Sequence, residues 1–145
     1  MTINARRHCG VLSLIAAWLL ALCVVARRAP AQNSSTPAAR KADYAELSQV
    51  PAKARATRNP LEGDPDAALA GRKLFEQHCS ECHGQRGEGG TRGPSLRVKE
   101  IRDATPGMLF FVLSNGVVRR GMPDWSKLPE PQRWQIVSFL QSLRD

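Results

Sequence analysis

The chain has 145 residues, of which 42% are hydrophobic, and it carries 21 Lys and Arg side chains against 13 Asp and Glu. This length allows one domain with some additional sequence. The basic excess is no argument for a nucleic-acid-binding protein, because part of it belongs to an opening segment that is typical of an export signal.

Residues 1–31 have the three parts of a secretory signal peptide. Arg6 and Arg7 precede an apolar run at residues 11–26, and a small-residue triplet, Ala-Pro-Ala, ends at Ala31. This order predicts a periplasmic or otherwise exported protein, with cleavage after Ala31. The alternative is an uncleaved membrane anchor at residues 11–26, although 16 residues are few for a membrane span.

Cleavage would change both the charge and the cysteine content of the chain. The segment removed contains four arginines and no acidic residue, so that 17 basic residues remain against 13 acidic ones. Cys79 and Cys82 are then the only cysteines of an exported protein. What these two thiols do becomes the main question about function.

Residues 32–63 are predicted to be a flexible or extended N-terminal arm. The segment is rich in Ala, Pro, Lys and Arg and shows little periodicity. We expect residues 32–42 to be a spacer. Some apolar residues further on are expected to lie against the folded domain: Tyr44, Leu47, Val50 and Leu61.

The folded domain is predicted to cover residues 64–145 and to begin with a helix. Asp64 is a suitable N-cap and Pro65 suits the first helical position. The helix is expected to end at His78. Gly71 lies inside it, where glycine costs about 1 kcal/mol relative to alanine, so we expect another helix to approach closely at this point.

Two further helices follow a glycine-rich loop at residues 84–103. Thr105 and Pro106 begin a middle helix and Gly116 ends it, in a pattern of cap, proline and glycine. The last helix covers about residues 130–143, with apolar side chains at helical spacing. No segment has the pattern of a strand, so the predicted fold class is all-α with three or four helices.

The stretch "HCSECHG", residues 78–84, contains a C-x-x-C-H motif with three interpretations. A thioredoxin-type disulfide belongs at a strand-to-helix turn, and no alternation of strands and helices is present. A structural zinc site needs four ligands around one ion, whereas the four candidates here fall within six residues. A covalently attached c-type haem fits both the spacing and the predicted export.

Helical spacing explains how this motif would hold a haem. Residues three apart lie on one face of a helical turn, so Cys79 and Cys82 can each form a thioether with one haem vinyl group. His83, the next residue, then presents a ring nitrogen to the iron from the same side. We therefore predict one covalent haem c, which would also be the staple that a small, loop-rich domain needs.

The sixth iron ligand decides the function, and Met122 is the predicted one. A methionine thioether keeps the iron six-coordinate and raises its potential, which suits electron transfer. Met122 lies in the Gly/Pro loop "RRGMPDW", 39 residues after His83. Met108, inside the middle helix, is predicted to be a core residue, and His78 is expected to point away from the haem-binding side.

These residues resemble the class I c-type cytochromes, specifically the small bacterial monohaem group. The resemblance covers about residues 66–143. It rests on four stretches in a fixed order: "AGRKLFEQHCSECHG", "RGPSL", "GMPDW" and "RWQIVSFLQSL". It implies an all-α cytochrome c fold in which the first and last helices cross, with Gly71 and Phe75 meeting Phe139 and Leu140.

The resemblance also implies three further residues of the haem site. The carbonyl oxygen of Pro94 would accept a hydrogen bond from the free ring nitrogen of His83, which orients the imidazole and makes it a better donor to iron. Leu96 and Trp125 would line the haem pocket. The alternatives are an ordinary turn proline for Pro94 and a surface aromatic residue for Trp125.

The predicted function is that of an exported carrier of single electrons between periplasmic or membrane redox proteins. It is not that of an enzyme, since no constellation of acid, base and nucleophile is recognisable. Arginines near the two loops would steer an acidic partner or form a solvated face: Arg92, Arg97, Arg119 and Arg120. Two alternatives stay open. One is a dedicated electron-transfer subunit of a periplasmic dehydrogenase or oxidase complex, and the other is a haem enzyme or gas sensor with an open sixth site.

Overall fold

The computed structural model describes residues 44–143. The predicted export signal or anchor and the spacer at residues 32–42 lie outside the described residues. Within residues 44–143, no helix is both long and apolar enough to cross a membrane. The domain boundary after residue 63 stays a prediction.

The described residues form helices joined by loops. Seven α-helices follow one another: α1 Ala45–Gln49, α2 Ala52–Arg55, α3 Pro65–His78, α4 Ser80–His83, α5 Lys99–Arg102, α6 Pro106–Asn115 and α7 Glu130–Ser142. A 3-10 turn, Val118–Arg120, lies between α6 and α7. The only strand-like pairing in this part of the chain is an isolated antiparallel bridge between Val117 and Met122. The all-α fold class is confirmed.

Helices α3 and α6 begin at the caps that the sequence predicts, and α6 ends at its predicted glycine. Asp64 Oδ1 accepts hydrogen bonds from two backbone N–H groups of the first turn, at 2.9 and 3.3 Å, so that α3 begins at Pro65. Thr105 Oγ1 accepts a hydrogen bond from a backbone N–H of the first turn of α6 at 3.3 Å. Gly116, with a φ of +67°, follows the last residue of α6. Side-chain caps and glycine stops are local signals, and this is why the sequence predicts them correctly.

Helices α3 and α7 cross in close contact, and Gly71 makes that contact possible. A Cβ atom on Gly71 would lie 1.8 Å from the backbone oxygen of Gln135. One turn further along α3, the ring of Phe75 packs against that of Phe139, with ring centroids 5.1 Å apart. The predicted crossing is therefore present, with the backbone of Gln135 rather than Leu140 opposite the glycine.

The substitution Gly71→Ala is expected to destabilise the domain by about 3 kcal/mol or more, because the added methyl group would overlap rigid backbone. Urea unfolding of the purified protein measures this loss. Gly63→Ala is the matched control. Gly63 has a φ of +81°, but an added Cβ would meet nothing within 4 Å, so we expect a loss of about 1 kcal/mol. Equal losses in the two variants would contradict the close crossing.

Residues 44–63 pack onto the domain in short helices, where the sequence predicts an extended arm. The four apolar residues expected to lie against the domain are buried or half-buried: Tyr44, Leu47, Val50 and Leu61. Helix α2 lies so close to α6 that a Cβ on Gly107 would be 2.0 Å from the oxygen of Ala54. The buried Asn59 side chain donates a hydrogen bond to Ser138 Oγ of α7 at 2.9 Å.

The short helix α5 lies within the stretch that the sequence predicts to be loop. It covers Lys99–Arg102 and buries Ile101 in the core. A helix of four or five residues contains too few positions for a helical period to show, which is why α1, α2 and α5 are not predicted. Their stability comes from packing against the longer helices rather than from their own sequence.

Candidate functional site

The two cysteines share one helical turn at the end of α3, the cysteine turn (residues 79–83). The N–H of Cys79 donates to the oxygen of Phe75 at 2.8 Å, so the chain stays helical up to the junction with α4. The N–H groups of Cys82 and His83 both donate to the oxygen of Cys79, at 3.2 and 3.0 Å. Cys79 and Cys82 are free and half-buried. Their spacing of three within a helical turn places them on one side of it.

The Cys79 thiol is poorly suited to redox chemistry of its own. Burial, with a smaller contribution from repulsion by Cys82, raises the pKa of Cys79 to about 12. Reactive C-x-x-C thiols have a lowered pKa, because the thiolate is the nucleophile. A thioether carries no charge, so surroundings that disfavour a thiolate do not disfavour a thioether at the same position.

His83 has one ring nitrogen bound and one free. Its Nδ1 lies 2.8 Å from the carbonyl oxygen of Pro94. A carbonyl oxygen can only accept a hydrogen bond, so Nδ1 is the donor, and in the neutral imidazole Nε2 then keeps its lone pair. This is the hydrogen bond that the family resemblance implies. It leaves Nε2 as the nitrogen that can bind a metal, in the arrangement typical of metal-binding histidines.

Glycines allow the loop after α4, the proximal loop (residues 84–98), to return to the cysteine turn. The N–H of Gly89 donates to the oxygen of His83 at 2.7 Å. A Cβ on Gly93 would lie 3.0 Å from the oxygen of Cys82. These close approaches place Pro94 beside the imidazole. Leu96, two residues after Pro94, packs half-buried against the hydrophobic core.

Trp125 brings the loop between α6 and α7, the distal loop (residues 116–129), to the end of α3. Its N–H donates to the oxygen of Leu113 at 3.1 Å. Its ring lies 5.2 Å from the ring of His78, measured between centroids. His78 immediately precedes Cys79, so the distal loop lies beside the cysteine turn. His78 itself is exposed and packs against Trp125.

Met122 lies in a closed turn of the distal loop. Backbone hydrogen bonds in both directions join Val117 and Met122, at 2.9 and 3.3 Å. Gly121, just before Met122, has a φ of +85°, which favours glycine. The side chains of Met122 and Met108 are both half-buried and pack against the core. Burial therefore does not distinguish the two methionines, and Met122 is favoured by its place in the loop.

Two residues that sequence reasoning missed reach the site loops from the N-terminal arm. The Tyr44 hydroxyl donates to the oxygen of Ser95 in the proximal loop at 2.5 Å. Glu46 forms an ion pair with Arg120 in the distal loop at 3.5 Å. One feature of the sequence could have indicated a role for Tyr44. It is the only tyrosine of the chain, and it lies in a segment without other aromatic residues.

The donor set fits a covalently attached haem better than a bare metal ion. Within residues 44–143, no three His, Cys, Asp or Glu side chains are grouped closely enough to hold an ion by themselves, so a structural zinc site has no support. A haem iron needs only axial ligands from the protein. Two thiols on one side of a helical turn, an imidazole with a free Nε2, and half-buried apolar residues from both loops meet that need.

Comparisons with known proteins agree with a covalently attached haem. Residues 66–140 match the protein family described as cytochrome c oxidase, cbb3-type, subunit III. The quinohemoprotein alcohol dehydrogenase ADH IIB of Pseudomonas putida is 30% identical over 106 residues, which cover 72% of this chain but 15% of that enzyme. The crystal structure of cytochrome CL from Methylophaga aminisulfidivorans matches with a TM-score of 0.52 and 28% identity, over 59% of this chain and 58% of that one.

Proposed function

The chain belongs to the family described as cytochrome c oxidase, cbb3-type, subunit III, and from this we propose that it is an exported monohaem carrier of single electrons. It is a class I c-type cytochrome with covalently bound haem c. The family leaves open which residues bind the iron and which proteins exchange electrons with it.

In this proposal, Cys79 and Cys82 form the thioethers, and His83 Nε2 and the sulfur of Met122 bind the iron. The bound haem supplies one-electron chemistry, with the iron alternating between the ferric and ferrous states. The observation that carries the proposal is the hydrogen bond from His83 Nδ1 to Pro94, on the same turn as the two thiols. It leaves one ring nitrogen available to iron, beside both attachment points.

The other site residues are proposed to orient the ligands and to exclude water. The Pro94 carbonyl holds the imidazole in one orientation and increases its electron donation. Leu96 and Trp125 place apolar surface at the site from the proximal and distal loops. Apolar surroundings disfavour the more highly charged ferric state, so together with a methionine ligand they raise the potential.

We propose redox proteins of the periplasm or membrane as partners, with a dehydrogenase as electron donor. Support comes from the quinohemoprotein alcohol dehydrogenase, part of which is similar to this chain. Export is inferred from residues 1–31. Mass spectrometry of the mature protein would give its first residue. It would show whether residues 11–26 are retained as an anchor.

A second candidate function is that of a dedicated subunit of one dehydrogenase or oxidase complex. The chain matches only 15% of the length of its dehydrogenase relative, so the matched segment is one part of a larger protein there. A dedicated subunit should comigrate with a catalytic protein under native conditions, whereas a free carrier should separate from it. A haem enzyme or gas sensor with an open sixth site would instead bind carbon monoxide without displacing a ligand.

The 3-10 turn of the distal loop offers a surface for an acidic partner. Val118 is 68% exposed, and Arg119 is exposed beside it. An exposed apolar residue next to a cation is suited to a transient protein contact. Two of the other predicted steering residues are in ion pairs within the chain: Arg92 with Glu81, and Arg120 with Glu46.

The substitution Arg119→Glu is expected to slow electron exchange with anions and to accelerate it with cations. Stopped-flow oxidation of the reduced protein by ferricyanide, and reduction of the oxidised protein by hexaammineruthenium(II), measure the two effects. We expect opposite changes on the order of tenfold at low ionic strength, which salt should remove. Arg58→Glu is the control, because it makes the same charge change in the N-terminal arm and outside both loops of the site. It should alter neither rate by more than about twofold. Equal rates in wild type and Arg119→Glu would contradict the proposed surface.

A further inference from the structure

We propose that the N-terminal arm is a clamp that positions the loops of both iron ligands. It contacts the proximal loop through Tyr44, the residue just before α1, and the distal loop through Glu46 of α1. The arm precedes the segment that matches the family, which begins at residue 66. Nothing in the family match therefore accounts for these contacts. The inference rests on the proposed iron ligands His83 and Met122.

On the proximal side, the clamp fixes a peptide group next to Pro94, the hydrogen-bond partner of His83. The peptide joining Ser95 and Leu96 is held at both ends, because its oxygen accepts from the Tyr44 hydroxyl at 2.5 Å and its N–H donates to the oxygen of Gly87 at 2.7 Å. Pro94, whose oxygen accepts from His83, is the preceding residue. Holding one peptide of this loop limits the rotation of the next, so Tyr44 acts on His83 through Pro94.

On the distal side, the clamp holds the turn that leads into Met122. Glu46 pairs with Arg120, two residues before Met122, at 3.5 Å. The N–H of Arg120 donates to the oxygen of Val117, the residue bridged to Met122, at 2.8 Å. The ion pair is partly exposed, with side-chain exposures of 41% for Arg120 and 30% for Glu46. Partly exposed pairs contribute little to global stability, so its expected role is to restrict the loop.

Helix α1 is held firmly enough to transmit these restraints. Leu47, between the two contact residues and the end of the helix, is 8% exposed and belongs to the hydrophobic core. The following segment is tied to α6, because the oxygen of Arg55 accepts a hydrogen bond from the Thr105 hydroxyl at 2.8 Å. Tyr44 and Glu46 are thus anchored to the hydrophobic core through Leu47. Loss of either contact should free one ligand loop without unfolding the domain.

The expected consequence is a methionine that is displaced more easily from iron. Residues that hold metal ligands in place contribute roughly 10- to 100-fold to metal affinity or activity. We expect imidazole to bind the ferric protein about threefold more tightly in Tyr44→Phe and in Glu46→Gln, and about tenfold more tightly in the double variant. The Tyr44→Phe change removes only the hydroxyl, and Glu46→Gln removes only the charge, so packing of α1 is retained.

The test is an optical titration of the intact ferric protein with imidazole, accompanied by urea unfolding of each variant. Ser48→Ala is the matched control, because its hydroxyl bonds within α1 to the oxygen of Ala45 and reaches neither loop. A purely structural role would lower the unfolding midpoint and leave the imidazole affinity at the wild-type value. That result in both single variants would contradict the proposed clamp. The single variants decide this even if the double variant does not fold.

The same titration separates this inference from the proposed function. A wild-type ferric protein without the absorption of a methionine–iron bond would contradict the ligand assignment, and the clamp with it. A normal wild-type spectrum with unchanged imidazole affinity in Tyr44→Phe and Glu46→Gln would contradict the clamp alone. A normal spectrum with tighter imidazole binding in these variants, and not in Ser48→Ala, supports both.

Discussion

Met122→Ala is expected to turn a six-coordinate, low-spin cytochrome into a high-spin protein that binds carbon monoxide readily when reduced. Alanine offers no donor, so the sixth position becomes open to water or added ligands. The thioether stabilises the ferrous state, and its loss should lower the reduction potential by on the order of 0.1 V or more, within the roughly 0.8 V that axial ligands span. Absorption spectra and a potentiometric titration measure both effects.

Met108→Ala is the matched control for this prediction. Both methionines are half-buried and pack against the core, so truncation of either removes a comparable amount of apolar contact. We expect Met108→Ala to lower the free energy of unfolding by about 2 kcal/mol and to keep the wild-type spectrum. The reverse outcome, a changed spectrum in Met108→Ala and an unchanged one in Met122→Ala, would show that the wrong methionine is assigned.

Replacing both Cys79 and Cys82 by alanine is expected to abolish covalent haem attachment. No other cysteine is present among residues 44–143, so no other thiol there can form a thioether. The mature chain should then show no haem stain on a denaturing gel. A small domain with several loops buries a limited core and depends on its cofactor, so we also expect much less folded protein.

Ser80→Ala controls for disturbance of the cysteine turn itself. Ser80 lies between the two cysteines, and its hydroxyl donates to the oxygen of Glu76 at 2.7 Å. Its removal costs one exposed hydrogen bond, on the order of 1 kcal/mol or less, and leaves both thiols in place. Full haem staining is expected in this variant. A stained band in the double cysteine variant would mean that the haem is attached elsewhere.

The local signals in the sequence predict the main helices and the attachment motif well. Asp64, Thr105 and Gly116 are cap and stop residues whose effect depends on neighbours a few positions away, and each marks a helix end in the structure. Gly71 is more informative than a cap, because an unfavourable residue inside a helix implies a compensating contact. That contact exists, although its partner, the backbone of Gln135, leaves no mark in the sequence.

The short helices of the N-terminal arm could not be predicted, because they depend on contacts with distant parts of the chain. Its helices of four and five residues are too short to be stable alone. They form where Gly107 allows α2 to approach α6 and where Leu47 reaches the core. The contact of Tyr44 with Ser95 spans 51 positions. Contacts between such distant residues leave no periodic pattern in the sequence. A polar, alanine-rich segment is therefore predicted to be an extended arm.

The candidate site depends both on local signals in the sequence and on contacts between distant parts of the chain. Cys79, Cys82 and His83 are adjacent in the chain, so their spacing alone indicates the cofactor. Met122 lies 39 residues after His83, and only the fold can bring its loop to the site. The structure shows the distal loop beside the cysteine turn through the contact of Trp125 with His78.

The most direct test of the central claim is the optical spectrum of the purified full-length protein during a redox titration. Iron held between His83 and Met122 predicts a low-spin spectrum in both states, a weak red absorption from the methionine–iron bond in the ferric protein, and a one-electron transition at a raised potential. Carbon monoxide should leave the reduced spectrum largely unchanged. A high-spin spectrum that shifts on addition of carbon monoxide would contradict the electron-carrier function.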